Sequence, residues 1–208
     1  DGMGSQSASP TLGWGTGGWG LEAWGEPRSI FSAGVFLDNT SWSLSLWGED
    51  LIATVRNGAI YYWDTSSDPV ARAVLVSSLA GAESVPDVAR ITTVSFPDRH
   101  FIAGGCTSYS GSGVDNMLVR WSSQEEFTKF APTATNTAGD QRLEVGTKIV
   151  AMTPAREETI ISTDEAIYGM TFVGGDFVFS FRLLAADSGA AGINTMISID
   201  GDAYWLGK

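Results

Sequence analysis

The sequence holds one cysteine, Cys106, and one histidine, His100. An intrachain disulfide is excluded, and so is a zinc site built from Cys and His. Charged residues are scarce, at 17% against a usual level of about 25%. Positive charge is scarcer still, with 12 Lys and Arg facing 24 Asp and Glu. A net charge of −12 repels phosphates, which argues against a protein that reads or grips nucleic acid. An acidic or neutral wall can still surround DNA and let it slide. No apolar run reaches the ~18 residues of a membrane-spanning helix. The opening DGMGSQSASP has neither the basic nor the apolar stretch of a signal peptide. No stretch keeps a 3.6-residue apolar period over three turns, which argues against long helices.

Glycine and aromatic residues are plentiful. Gly occurs 25 times, well above the usual ~7%, and 11% of residues are aromatic. Residues 1–29 read as an extended Gly/Trp-rich arm, with Trp14, Trp19 and Trp24 each followed by Gly. A five-residue spacing matches neither a helix face nor a strand face, so the indoles need not share one surface. Each offers a large contact area at a small entropic cost. They are candidate docking residues, onto the chain's own body or onto an adjacent subunit. Gly13-x-Gly15-x-x-Gly18 matches a dinucleotide-binding pattern in letters only, because no strand precedes it and no helix follows.

Residues 30–208 read as an all-β, β-propeller-like domain of repeated antiparallel hairpins. SWSLSLW (41–47) alternates strictly, with Trp42, Leu44 and Leu46 on one face and Ser on the other. DLIATVR and AIYYWD flank Asn57-Gly58, which predicts a two-residue type I′ turn with positive φ at both positions. A few helical turns are expected around Val70–Leu79, and a loop from Glu125 to Gly146. Four segments share one plan of apolar strand, turn and second strand with a large aromatic near its end. Those aromatics are Trp63, Trp121, Tyr168 and Trp205. Their spacings bracket the ~40–50 residues of a propeller blade. Four units are few for a closed ring, and both ends look like cuts, so a longer parent chain is expected.

Chemistry-bearing motifs are weak. Asp200-Gly201-Asp202 and Asp164-Glu165 sit between strands, where such residues make turns. No five-oxygen calcium-loop spacing occurs, and no metal site is expected. His100 could serve as a base, but no G-x-S-x-G elbow exists and nothing nominates a nucleophile. Cys106 reads as a small buried hydrophobe, with a Cys106/His100 pair as the alternative. Paired carboxylates for glycoside cleavage cannot be singled out among so many acids. No catalytic, cofactor-binding or metal-binding residue is therefore assigned, and no cofactor is expected.

The stretch Val119–Leu184 is more specific. VRWSSQE (119–125), PTATNTAGD (132–140), ETIISTDEAIYGMTFVG and FVFSFRLL resemble the tail nozzle, or tail tubular, proteins of short-tailed bacteriophages. Trp42–Asp64 and the Trp-Gly arm fit the same family. The resemblance implies a β-propeller-like body and a non-enzymatic virion component assembled in the host cytoplasm. It further implies a homo-oligomeric ring, a hexamer, beside portal and adaptor proteins, through which DNA passes without sequence-specific binding. Arg120, Arg142 and Arg182 are candidate interface or strand-pinning cations, since each lies in or beside a strand-like run. The competing reading is a carbohydrate-binding or carbohydrate-cleaving β-propeller that recognises a host receptor. Exposed Trp and Tyr faces would stack on sugars.

Overall fold

The computed structural model describes residues 41–67, 70–111, 113–175 and 177–207. The arm of residues 1–29, with Trp14, Trp19 and Trp24, lies outside the described residues. The described residues belong to one compact unit that begins at Ser41. They are all-β, with a single 3-10 turn at Val76–Ser78 as the only helical element. The helical turns expected around Val70–Leu79 shrink to that turn, which follows a two-residue strand. No helix among the described residues is long and apolar enough to cross a membrane.

Three four-stranded antiparallel sheets follow one another along the chain, each in simple sequential order. The first contains β1 (Trp42–Trp47), β2 (Asp50–Val55), β3 (Ile60–Trp63) and β4 (Val74–Leu75). The second contains β5 (Ala89–Val94), β6 (Phe101–Thr107), β7 (Val114–Trp121) and β8 (Gly139–Arg142). The third contains β9 (Ile149–Pro154), β10 (Glu158–Thr163), β11 (Ala166–Phe172) and β12 (Phe179–Ala186). A two-stranded hairpin, β13 (Met196–Ile199) and β14 (Asp202–Trp205), ends the series. Strand β8 falls inside the stretch read from sequence as a loop. Its GDQR has no apolar alternation, and pairing with β7 alone defines it.

The first strands adjoin in order, β1 beside β5, β5 beside β9 and β9 beside β13. Successive sheets bury their facing sides. Ile52 and Ile60 of the first sheet pack with Phe101, Ala103 and Leu118 of the second. The other side of the second sheet, with Ile102, Val119 and Trp121, packs with Ile149, Ile161 and Met170 of the third. The far side of the third sheet, with Ile160 and Ile167, meets Met196 and Ala203 of the hairpin. Strands of the middle sheets are therefore buried on both faces and read as continuous apolar and Thr runs rather than alternating ones.

Two sequence expectations change in detail. The β2–β3 connection is not a type I′ turn. Asn57 takes positive φ (54°) but Gly58 does not, and the Gly58 N–H donates to the Val55 carbonyl at 2.8 Å. One positive φ at the third position is the type II pattern, which accepts Asn. Gly58 stays extended because it bridges Ala89 at the start of β5, exchanging two backbone hydrogen bonds of 3.0 and 3.3 Å. The aromatic repeat also slips at its end. Trp63, Trp121 and Tyr168 lie on the third strands of their sheets, whereas Trp205 lies on the second strand of the hairpin. The unit that repeats begins at Trp42, Ala89, Ile149 and Met196, at intervals of 47, 60 and 47 residues.

Candidate functional site

A buried polar cluster lies where the second sheet meets the third. The β5–β6 turn carries Ser95, Asp98 and His100, all buried. Ser95 Oγ donates to Asp98 Oδ2 at 2.7 Å, and His100 Nδ1 lies 2.6 Å from the same oxygen. The His100 backbone N–H donates to Ser95 Oγ at 2.9 Å. On the far side of the ring, Nε2 lies 3.0 Å from Thr137 Oγ1, in the β7–β8 connection. Trp121 Nε1 donates to the Thr137 carbonyl at 2.8 Å. The His100 ring packs on Phe172 and Phe179 of the third sheet, and Trp121 packs on Phe179 and Phe181. Burial would raise the Asp98 carboxyl, but the hydrogen bonds from His100 and Ser95 outweigh it and hold the pKa below the usual value.

Ser, His and Asp thus meet, but not as a nucleophilic relay. That chemistry needs the serine hydroxyl on the imidazole. Here Ser95 gives its proton to Asp98 and is 3% exposed. The cluster joins a turn, a loop and two sheets, which makes it a structural latch. His100 was a candidate from the sequence. Ser95, Asp98 and Thr137 were not, and the only available signal was the turn-forming SFPDRH itself.

Cys106 is fully buried, with Sγ 3.6 Å from the Ala103 carbonyl and 3.8 Å from that of Leu118. Burial pushes its thiol up to about 12. It is inert packing. The alternative Cys106/His100 pair does not form, since both His100 ring nitrogens have other partners.

The three candidate arginines fall in three different settings. Arg120 is 2% exposed and donates to the Thr107 carbonyl at 2.8 Å and the Ser84 carbonyl at 2.5 Å. Its guanidinium lies 3.7 Å from the Tyr109 ring centroid. It pins segments of its own chain. Arg142 is exposed and pairs with Asp115 at 2.9 Å across β7 and β8. Arg182 is exposed and lies 3.7 Å from Glu158, reaching across β11 at Gly169. A Cβ at Gly169 would strike Glu158 Oε2, so the glycine opens that path.

Arg182 and Glu158 border a polar crevice of about 470 Å³, together with Arg156, Asp200 and Asp202. Asp200-Gly201 forms the β13–β14 turn, with φ of 54° and 97°, as Asp-Gly chemistry predicts. Among the described residues no cluster of three or more His, Cys, Asp or Glu side chains is placed to hold a metal. A second groove, of about 700 Å³, runs along the first strands and is lined by Leu44, Leu46, Val94, Phe96, Arg99 and Pro154.

No family model and no curated protein matches this chain. Among solved structures, the computationally designed Ika4 protein aligns with a TM-score of 0.40 and 13% identity, over 82% of this chain and 94% of that one.

Proposed function

We propose that this chain is a structural subunit of a bacteriophage tail nozzle, a ring through which DNA leaves the virion, and that it is not an enzyme. The observation that carries the reading is the run Val119–Leu184, whose VRWSSQE, PTATNTAGD and FVFSFRLL resemble that family. A body of consecutive four-stranded meanders with adjoining first strands supports a propeller-like arrangement, because blades of a propeller are ordered in that way. The net charge of −12 supports a wall that DNA passes without sticking. The polar cluster at His100 locks sheets together, a task suited to a body that must resist strain. On this reading the protein resides in the tail, assembles in the host cytoplasm and contacts portal or adaptor proteins.

Electron microscopy of the purified chain in negative stain tests the reading. Rings on the order of 100 Å across are expected for six subunits of this size. A monomer at all concentrations refutes it. The carbohydrate-binding alternative draws on the crevice at Arg156, Arg182, Asp200 and Asp202, whose mixed charges could meet sugar hydroxyls. Binding to a glycan array by a persistent monomer would establish it instead.

A further inference from the structure

The turn between β2 and β3 carries a reactive pair, Asn57-Gly58. A glycine nitrogen that gives up its proton can attack Cγ of the asparagine before it, and glycine has no Cβ to hinder the approach. A carbon–nitrogen bond forms and closes a succinimide ring. The side-chain nitrogen leaves as ammonia. Water then opens the ring at either of its carbonyls. One opening gives aspartate. The other gives isoaspartate, whose backbone runs through Cβ and is longer by a methylene.

The fold presents the target of this attack and restrains the attacker. Asn57 is exposed at a φ of 54°, and its Oδ1 accepts from Arg90 Nη1 at 3.3 Å. The Gly58 N–H donates to the Val55 carbonyl at 2.8 Å and to the Ala89 carbonyl at 3.3 Å. The Gly58 carbonyl accepts in turn from the Ala89 N–H at 3.0 Å. Ala89 opens β5 and is fully buried. A succinimide nitrogen carries no proton, so ring closure forfeits both bonds that Gly58 donates. The bridge to Ala89 also fixes the peptide plane that holds this nitrogen. Gly58 belongs to the first sheet's hairpin and Ala89 to the second sheet, so the reaction waits on a local opening between the two.

We propose that Asn57 is a deamidation site gated by the Gly58–Ala89 bridge, and that its isoaspartyl product cannot restore that bridge. With the bridge closed, Asn57 persists. Each opening frees the Gly58 nitrogen for attack, so loss of Asn57 is a covalent record of how often the first sheet parts from the second. The two products then behave differently. Aspartate keeps the backbone length and sets a carboxylate where the amide oxygen met Arg90. Isoaspartate adds a methylene to the turn and carries Gly58 out of register with Ala89. The inference stands apart from the nozzle reading and survives its failure.

The test ages the whole 208-residue chain in warm, mildly alkaline buffer, once native and once in concentrated urea. Peptide mass mapping follows the loss of Asn57, and a methyltransferase specific for isoaspartyl carboxylates counts that product. Loss is expected to be on the order of 100-fold slower in the native chain, because only the locally opened form reacts. Rates within about threefold of each other overturn the gate. Gly58→Ala, aged in urea so that its folding does not matter, is expected to lose Asn57 at least about tenfold more slowly than the parent. An equal loss overturns attack by the residue-58 nitrogen, and no loss from the parent in urea overturns the site. The aspartyl and isoaspartyl products are then separated, returned to native buffer and followed by hydrogen exchange at the Gly58 amide. Faster exchange in the isoaspartyl form, or its failure to refold where the aspartyl form succeeds, supports the loss of the bridge. An isoaspartyl form that refolds with full protection at Gly58 overturns it.

Discussion

Arg120 gives the most searching test of how this body is held together. Replacing it with Met removes a buried cation while nearly keeping its volume. Two charge-assisted hydrogen bonds disappear, to the carbonyls of Thr107 and Ser84. Each is worth about 1.5–3 kcal/mol. The contact with the partly exposed Tyr109 ring at 3.7 Å adds about 1 kcal/mol. Against this, the guanidinium no longer has to be stripped of water, which returns several kcal/mol. The balance is a loss of about 2–4 kcal/mol. For a chain of this size that corresponds to a fall in Tm on the order of 10 °C. Arg120→Lys separates charge from shape. It keeps the cation, but its single ammonium cannot span two carbonyls as the planar fork does. It is expected to cost at least as much as Met. Urea melts followed by tryptophan fluorescence, with unchanged slope, provide the measurement. If both variants unfold within about 0.5 kcal/mol of the parent, the pinning role is refuted.

Two further outcomes follow from buried and half-buried groups. Cys106, with its thiol pushed up to about 12, is expected to resist a thiol reagent at pH 8 in the folded protein and to react fully in denaturant. Stoichiometric labelling of the native chain would show that its pocket opens. Asp164 loses solvation on folding, but it accepts hydrogen bonds from Thr147 Oγ1 and the Thr147 and Lys148 N–H groups, which together bring its pKa down to about 2. A carboxyl depressed in the folded state stabilises the fold above its unfolded pKa near 4, and that stability fades as pH falls towards 2. Asp164→Asn should therefore cost no more than about 1 kcal/mol at pH 7, given solvent screening, and should flatten stability between pH 4 and 2. An unchanged acid profile in the variant would show that other carboxylates govern that range.

Hairpins were the readable part of the sequence. Asn57 at positive φ, the Asp200-Gly201 turn and the aromatics Trp63, Trp121 and Tyr168 fall where local chemistry puts them. The β7–β8 pairing was not readable, because GDQR carries no period of two. Nor was the latch. Ser95, Asp98 and His100 are close in sequence, but Thr137 is 37 residues beyond His100, and only tertiary packing brings it to Nε2. Arg120 could equally have met a neighbour or its own chain. Its two carbonyl partners lie 13 and 36 residues away, distances no local pattern encodes. Gly58 is held by Ala89 of the next sheet, a contact no local pattern encodes, so the turn departs from the type I′ geometry that Asn-Gly predicts.

The orientation of β1 carries the most weight. A period of two tells that Trp42, Leu44 and Leu46 share a face, but not which way that face looks. The usual answer is inward. Here the serines look inward, toward a side where Thr54 and Thr92 hydroxyls meet at 2.8 Å. Inversion by accident would leave leucines in water at roughly 1.5–3 kcal/mol each, with no compensating burial elsewhere. The same arrangement recurs on β13, where Ile197 and Ile199 look out and Ser198 looks in. Two inverted strands, one at each open end of an otherwise well-packed series, are a pattern that packing within the described residues cannot reward. Contact with a further sheet can, whether that sheet belongs to the same protein or to a partner.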